Sequence, residues 1–192
     1  PHPTYFRDAA LTNLFYWANT VHDFFYNLGF DEKAGNYQAD NFGKGGVAGD
    51  PISIYAHFGA ASTSSFAQVN NAFYSTFSTE DGTQAMVGMF LGSSRDRWAD
   101  GAYSTETIVH ELTHGVTARL IRSMNTTFQG AAMNEAFSDF WAHELITPEG
   151  SPVDGVYPYG EYLYNQFGVG IRSRPYSTNM EINPLTYRDL GR

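Results

Sequence analysis

Apolar residues recur at helical spacing over residues 8–28, at Leu11, Leu14, Phe15, Ala18, Val21, Phe24, Phe25 and Leu28, and Gly29 suits a helix stop. The stretch predicts a long buried helix. Residues 30–50 lose the period and are rich in Gly, Asn and Asp, which reads as loop. Ile52, Ile54, Ala56 and Phe58 then alternate with Ser53, Tyr55 and His57, the two-residue period of a strand with one buried face. Two further strands are expected at 71–77 and 84–91, joined as a hairpin through Glu80-Asp81-Gly82. Ser104 is an N-cap candidate and Glu106 suits the positive end of a helix whose apolar stripe is Val109, Leu112, Val116 and Leu120. A second helix is expected over 131–146, with Met133, Ala136, Phe137, Phe140 and Leu145 inward and Pro148 and Gly150 ending it. The pattern implies an α+β architecture: a helix and β-rich segment (1–103), two neighbouring helices (104–147) and an irregular segment (148–192). No repeat, low-complexity tract or interdomain linker interrupts it.

The first of those two helices carries His110-Glu111-Leu112-Thr113-His114. A turn of roughly 100° per residue puts positions i and i+4 on one face, so both imidazoles can reach one cation at about 2.0–2.1 Å. Glu111 is left beside that cation rather than on it, in the place of a general base. A catalytic zinc site usually takes a third protein ligand and keeps one position for water. A continuation of the motif into a third histidine fails, because Thr117 and Leu120 stand where Gly and His would be needed. Glu135, near the start of the second helix, fits better, and Asp139 one turn on would share its face and accept the free N–H of a ligating imidazole, His110 being favoured. His143 reads as an ordinary surface or packed histidine, and His22-Asp23 as a structural pair. Two neutral histidines and a carboxylate would leave the metal positive enough to acidify a bound water, whose proton Glu111 could accept and later deliver to a departing amine. The implied reaction is hydrolysis of an amide without an acyl-enzyme.

Composition narrows the alternatives. Twenty acidic against eleven basic residues give a net charge of −9, which would repel a phosphate backbone, so nucleic acid is not an expected partner. The absence of cysteine removes disulfides, thiolate ligands and thiol nucleophiles together. No apolar run approaches a membrane span, and Gly43-Lys44-Gly45-Gly46 lacks the Gly-Lys-Ser/Thr of a phosphate loop. Pro1-His2-Pro3 is neither an initiator nor a signal peptide, so the chain is expected to begin inside a longer precursor. Calcium is a further candidate ion, because Glu106, Asp96 and Asp100 fall near the first metal-bearing helix, although no calcium loop is recognisable.

HELTHGVTARL followed by GAAMNEAFSDF resembles thermolysin, and the longer segments NLFYWANTVHDFFYNLGF, EKAGNYQADNFGKGGVAGDPI, NNAFYSTF and RPYSTNMEINPLTYRDL are similar to the fungalysin metallopeptidases. Together they cover nearly the whole chain. The resemblance implies a thermolysin-like zincin fold with a small mixed or antiparallel sheet packed on helices, and a secreted zinc endopeptidase made as a precursor. His110, His114 and Glu135 would be the zinc ligands, Glu111 the base and Asp139 the partner behind a ligand. By the same similarity Asn71 and Ala72 would bind peptide backbone as an added strand. Two departures stand out: the connector between the zinc-binding helices is shorter than in fungalysins, and no histidine in the chain matches the oxyanion donor that the family carries in a C-terminal helical lobe. The expected partners are therefore protein or peptide substrates and the protein's own C-terminal lobe or propeptide. The competing expectation is a zinc-binding half that docks such a lobe and is inactive alone.

Overall fold

A computed structural model describes residues 2–60, 69–94 and 97–189. Helix α1 runs Arg7–Asn27 behind a 3-10 turn, and its buried side is Ala10, Leu14, Val21 and Phe25, the i, i+4 rhythm of one helical face. Gly29, at φ 102°, turns the chain, and the N–H of Phe30 returns to Phe25 O at 2.9 Å. Leu11, Phe15 and Leu28 belong to the same apolar series in the sequence but are exposed. Periodicity finds the helix, yet its stripe is wider than the core that receives it.

The loop after α1 carries its own polar core. Asp50, fully buried, accepts hydrogen bonds from Gln38 N and Gly82 N and pairs with Arg119 Nη2 at 2.7 Å. That guanidinium lies 4.2 Å from the Tyr37 ring centroid, so loop, hairpin and the second helix meet at one ion pair. Strand β1 (Ser53–Tyr55) lies parallel to β3 (Ala85–Met89), and β2 (Ala72–Thr76) pairs antiparallel with β3 in the register Tyr74↔Val87. The order β1-β3-β2 makes β3 the centre, and Val87 and Met89 are completely buried there.

The stretch expected to be one strand over 84–91 is two. Phe90 donates to Asn71 O while its carbonyl accepts from Gly101 N, and the chain passes into β4 (Leu91–Ser94), which pairs with β5 (Arg97–Asp100) in a separate sheet. An uninterrupted apolar run cannot reveal that change of partner. The first expected strand is likewise shorter, since His57 adopts φ 52° and turns the chain.

Helix α2 (Thr105–Leu120) follows with Ser104 at its N-cap position, but the Ser104 hydroxyl bonds to Thr107 Oγ1 rather than to a helix N–H. The helix is covered on nearly every side, by α1, by β2 and by α3 (Phe128–Ile146), and the apolar core forms where Ile108, Val109 and Leu112 meet α1 and β3. Leu120, the last residue of the expected stripe, is exposed. The predicted inward face of α3 holds only in part: Leu145 packs against the core, but most of the rest does not. Met133, Phe137 and Phe140 point outward, whereas Asn134, Ser138, Asp139 and Ala142 are buried against the molecule. The face that meets α2 is polar because it builds a site. Beyond α3 the described part of the expected irregular segment contains one short helix, α4 (Glu161–Tyr164), and one 3-10 turn at Tyr187–Asp189.

Candidate metal centre

The α2–α3 junction sets the site. Thr127 caps α3 through Gly130 N, and Gly130 is required there because a Cβ would lie 1.8 Å from Met124 O. This tight turn accounts for the short connector. It carries α3 back along α2, where Thr117 and Asn134 share a buried hydrogen bond and Glu135 arrives opposite the two imidazoles. Gly115, directly after His114, leaves room for the Tyr37 and Tyr74 rings, which a Cβ would approach to 3.1 and 3.2 Å.

His110 and His114 stand with ring centroids 4.7 Å apart, and both turn Nε2 toward Glu135, at 3.4 Å to Oε2 and 3.3 Å to Oε1 respectively. Their other nitrogens are held from behind. His110 Nδ1 meets Asp139 Oδ1 at 2.8 Å, and His114 Nδ1 meets Ser138 Oγ at 3.1 Å. Each ring is thereby left with one outward nitrogen, the arrangement that fixes a metal-ligating tautomer. Four donors around zinc at about 2.1 Å would be separated by roughly 3.4 Å in a tetrahedron, close to the spacing between the imidazoles and the carboxylate. These three residues are the one group of metal-holding donors among the described residues, with all ligand atoms within 4.8 Å of one another.

The electrostatics favour a cation at this point. Hydrogen bonds from His110 and His114 hold the Glu135 carboxyl far below the usual carboxylate range. Burial works against charge on His110, but the bonds to Asp139 and Glu135 prevail and push its pKa up to about 9. A proton and a metal ion therefore compete for the same outward face of the rings. Burial raises the carboxyl of Glu111, with positive charge on His110 and His114 and, less, the N–H of Tyr74 offsetting part of the shift. Glu111 is thus a buried carboxyl beside the cluster and not one of its members, as its helical position implies.

The expected partner of His110 proves to be the hub of a larger network. Asp139 is fully buried, and it also accepts Arg172 Nε at 2.7 Å, Arg172 Nη2 at 2.8 Å and the Tyr176 hydroxyl at 2.6 Å. Despite burial, these donors keep its carboxyl below the ordinary value. Arg172 reaches Glu135 Oε2 at 3.3 Å as well, and its guanidinium sits over Tyr159, whose ring lies 5.2 Å from that of His110. Arg172, Tyr176, Tyr159 and Ser138 are missing from the expected site. The first three lie in a segment without periodicity, where nothing local announces a contact with α3.

A cleft of about 680 Å³ contains the cluster and Glu111, and Asn71, Ala72, Phe73 and Tyr74 form part of its wall. The expected backbone-binding residues are therefore brought to the cluster. Among the described residues β2 pairs on one side only, with β3. Other candidates are placed elsewhere. His22 pairs with Asp23 at 3.0 Å and with Gln38, a structural arrangement. His143 lies 3.8 Å from Glu106 and takes no part in the cluster. Of the three acidic residues considered for calcium, Asp96 lies outside the described residues, Glu106 accepts from Gly160 N, and Asp100 holds His57 and Ala102 N.

A helix-borne His-Glu-x-x-His completed by a carboxylate from the next helix defines a zincin of the glutamate-ligand type. Residues 1–192 match the family model for the fungalysin metallopeptidases (M36), and the chain belongs to that family. It is 38% identical over 98% of its length to the extracellular metalloproteinase mep of Aspergillus flavus. It is 37% identical over 98% to extracellular metalloproteinase 2 of Arthroderma gypseum, and 36% over 97% to extracellular metalloproteinase 4 of Arthroderma otae. The chain spans 28–29% of the length of these relatives. No helix among the described residues is long and apolar enough to cross a membrane.

Proposed function

We propose that the cluster holds one zinc ion through His110 Nε2, His114 Nε2 and Glu135, in the catalytic domain of a secreted endopeptidase. The observation that carries this reading is the approach of both outward imidazole nitrogens to the two oxygens of one carboxylate, at 3.3 and 3.4 Å. The family and the extracellular relatives support the activity and its location. When bound, zinc supplies a Lewis acid that polarises a peptide carbonyl and lowers the pKa of water.

The chain's own residues do the rest. Asp139 and Ser138 orient the two rings, and Arg172 neutralises the charge that Asp139 and Glu135 would otherwise concentrate. Glu111 accepts the proton of the attacking water and returns it to the leaving amine, a role suited to a buried carboxyl beside the two imidazoles in the same cleft. Peptide backbone extends β2 from its unpaired edge at Asn71 and Ala72, with the scissile bond between that edge and the metal. We read residues 1–192 as the metal-binding part of the catalytic unit.

Elemental analysis with two variants tests the assignment. Wild type and Glu111→Gln should each carry one equivalent of zinc, Glu111→Gln should not hydrolyse casein, and Glu135→Ala should lose metal. Full zinc occupancy in Glu135→Ala, or wild-type turnover by Glu111→Gln, refutes the corresponding role. Turnover by residues 1–192 alone would overturn the reading of this unit as an inactive docking half.

A further inference from the structure

The same cleft contains a tyrosine that neither the metal nor its supporting network uses. Tyr164 lines it together with His110, Glu111 and Glu135. It ends α4, a single helical turn fixed on both sides. At the start Gly160, with φ 79°, donates its N–H to Glu106 Oε2 at 2.6 Å. At the end Asn165 donates to Ser94 Oγ at 3.0 Å and accepts from Arg97 Nη1 at 2.8 Å. Leu163 is buried between these ties, with its carbonyl oxygen only 2.1 Å from where a Cβ on Gly92 would sit. Gly160 makes space for the tyrosine ring itself, since a Cβ there would come within 3.0 Å of Tyr164 Cδ2.

The ring is thus seated on a rigid support, but its hydroxyl has no hydrogen-bond partner among the described residues. Tyr37, Tyr74 and Tyr176 differ: the first two bond to each other at 2.7 Å, and the third bonds to Asp139. Burial pushes the Tyr164 phenol up to about 12, so it remains a protonated donor at neutral pH. A half-buried hydroxyl without a partner gains most from a ligand that supplies an acceptor. An extended peptide on β2 presents such acceptors, because a strand pairs one edge and leaves the carbonyls of its other edge in need of donors.

We propose that Tyr164 contacts substrate directly, donating its hydroxyl to a carbonyl oxygen of the peptide bound along β2. The assignment rests on the zinc-peptidase reading above, so its test must separate the two. Two probes suffice on the zinc-loaded protein: acetohydroxamate, which can engage only the metal, and a peptidyl hydroxamate, which also presents backbone carbonyls. Tyr164→Phe should keep its zinc and its acetohydroxamate affinity while binding the peptidyl probe about 2- to 13-fold more weakly, the range for one lost hydrogen bond. With peptide substrate the same variant should raise KM by a similar factor and leave kcat nearly unchanged, the signature of uniform binding. Equal affinity of wild type and Tyr164→Phe for the peptidyl probe, with zinc present in both, overturns the proposal. So does a fall in kcat at unchanged KM, which would place the bond in the transition state alone. Failure of acetohydroxamate to bind wild type refutes the metal reading instead.

Discussion

The described residues contain two buried imidazole–carboxylate pairs, and only one of them makes a site. His110 and Asp139 meet at 2.8 Å, and His57 and Asp100 at 2.6 Å, with all four side chains almost inaccessible. The His57 pair ties the turn after β1 to the 3-10 turn (Gly101–Tyr103) that leads into α2, because the other oxygen of Asp100 accepts from Ala102 N. Its second ring nitrogen, Nδ1, is buried without a partner. The second nitrogen of His110 instead faces Glu135, in company with His114. The lesson is that a buried His–carboxylate pair marks order, whereas function depends on what the remaining nitrogen faces.

Removing each carboxylate separates the two roles most sharply. Asp139→Ala leaves the Arg172 guanidinium only its longer contact with Glu135 and frees the His110 ring, so it should cost about 2–4 kcal/mol of stability and about 10- to 100-fold in zinc affinity. Asp100→Ala removes one hydrogen-bonded pair and one cap, and should cost about 1–3 kcal/mol while leaving zinc affinity within about 2-fold, since His57 lies outside the metal cluster. Chemical denaturation and competitive zinc titration on both variants provide the check. A large loss of zinc affinity in Asp100→Ala would break the distinction.

The same contrast explains what the sequence discloses. His110, Glu111 and His114 are read from spacing alone because one helix places them, and Glu135 and Asp139 because a second helix repeats the i, i+4 logic. His57 and Asp100 are 43 residues apart, and Arg172 is 33 from Asp139, distances over which no local period operates. The error on α3 has the same origin: its aromatic residues resemble a core stripe, but the buried stripe is Asn134, Ser138 and Asp139. Hydropathy assigns a polar functional face to solvent. The β3–β4 break likewise depends on Gly101 and Asn71, which lie beyond the run of residues that forms the strands.

A partly buried carboxyl, one turn before His110, sharpens the comparison through pH. Among the described residues Glu106 has only a backbone N–H as its close donor, and burial carries its pKa up to about 7. Below about pH 4.5, near the unfolded value, it is protonated in both states. Between there and pH 7 only the unfolded chain ionises, so stability falls as pH rises and then levels off. Glu106→Gln retains an oxygen for Gly160 N and should remove this decline, gaining up to about 3 kcal/mol at pH 8 and almost nothing at pH 4. Urea midpoints measured with a chelator present, so that zinc release does not enter, will show it. A constant difference between the two proteins across that range would contradict a raised pKa.

The smallest effect should come from the second imidazole of the site, where a hydroxyl replaces the carboxylate. Ser138 Oγ stands 3.1 Å from His114 Nδ1, and Ser138 is completely buried. Unlike Asp139 it brings no charge and no guanidinium, so it can orient the ring without making the ligand markedly more basic. Ser138→Ala leaves the Nδ1 hydrogen unpaired but creates only a small void, and should weaken zinc by about 3- to 10-fold, below the range expected for Asp139. Side-by-side zinc titrations of Ser138→Ala and Asp139→Ala measure the difference directly. If the serine variant lost as much affinity as the aspartate variant, orientation alone would account for the network, and the charge that Asp139 shares with Arg172 would have no separate part in holding the metal.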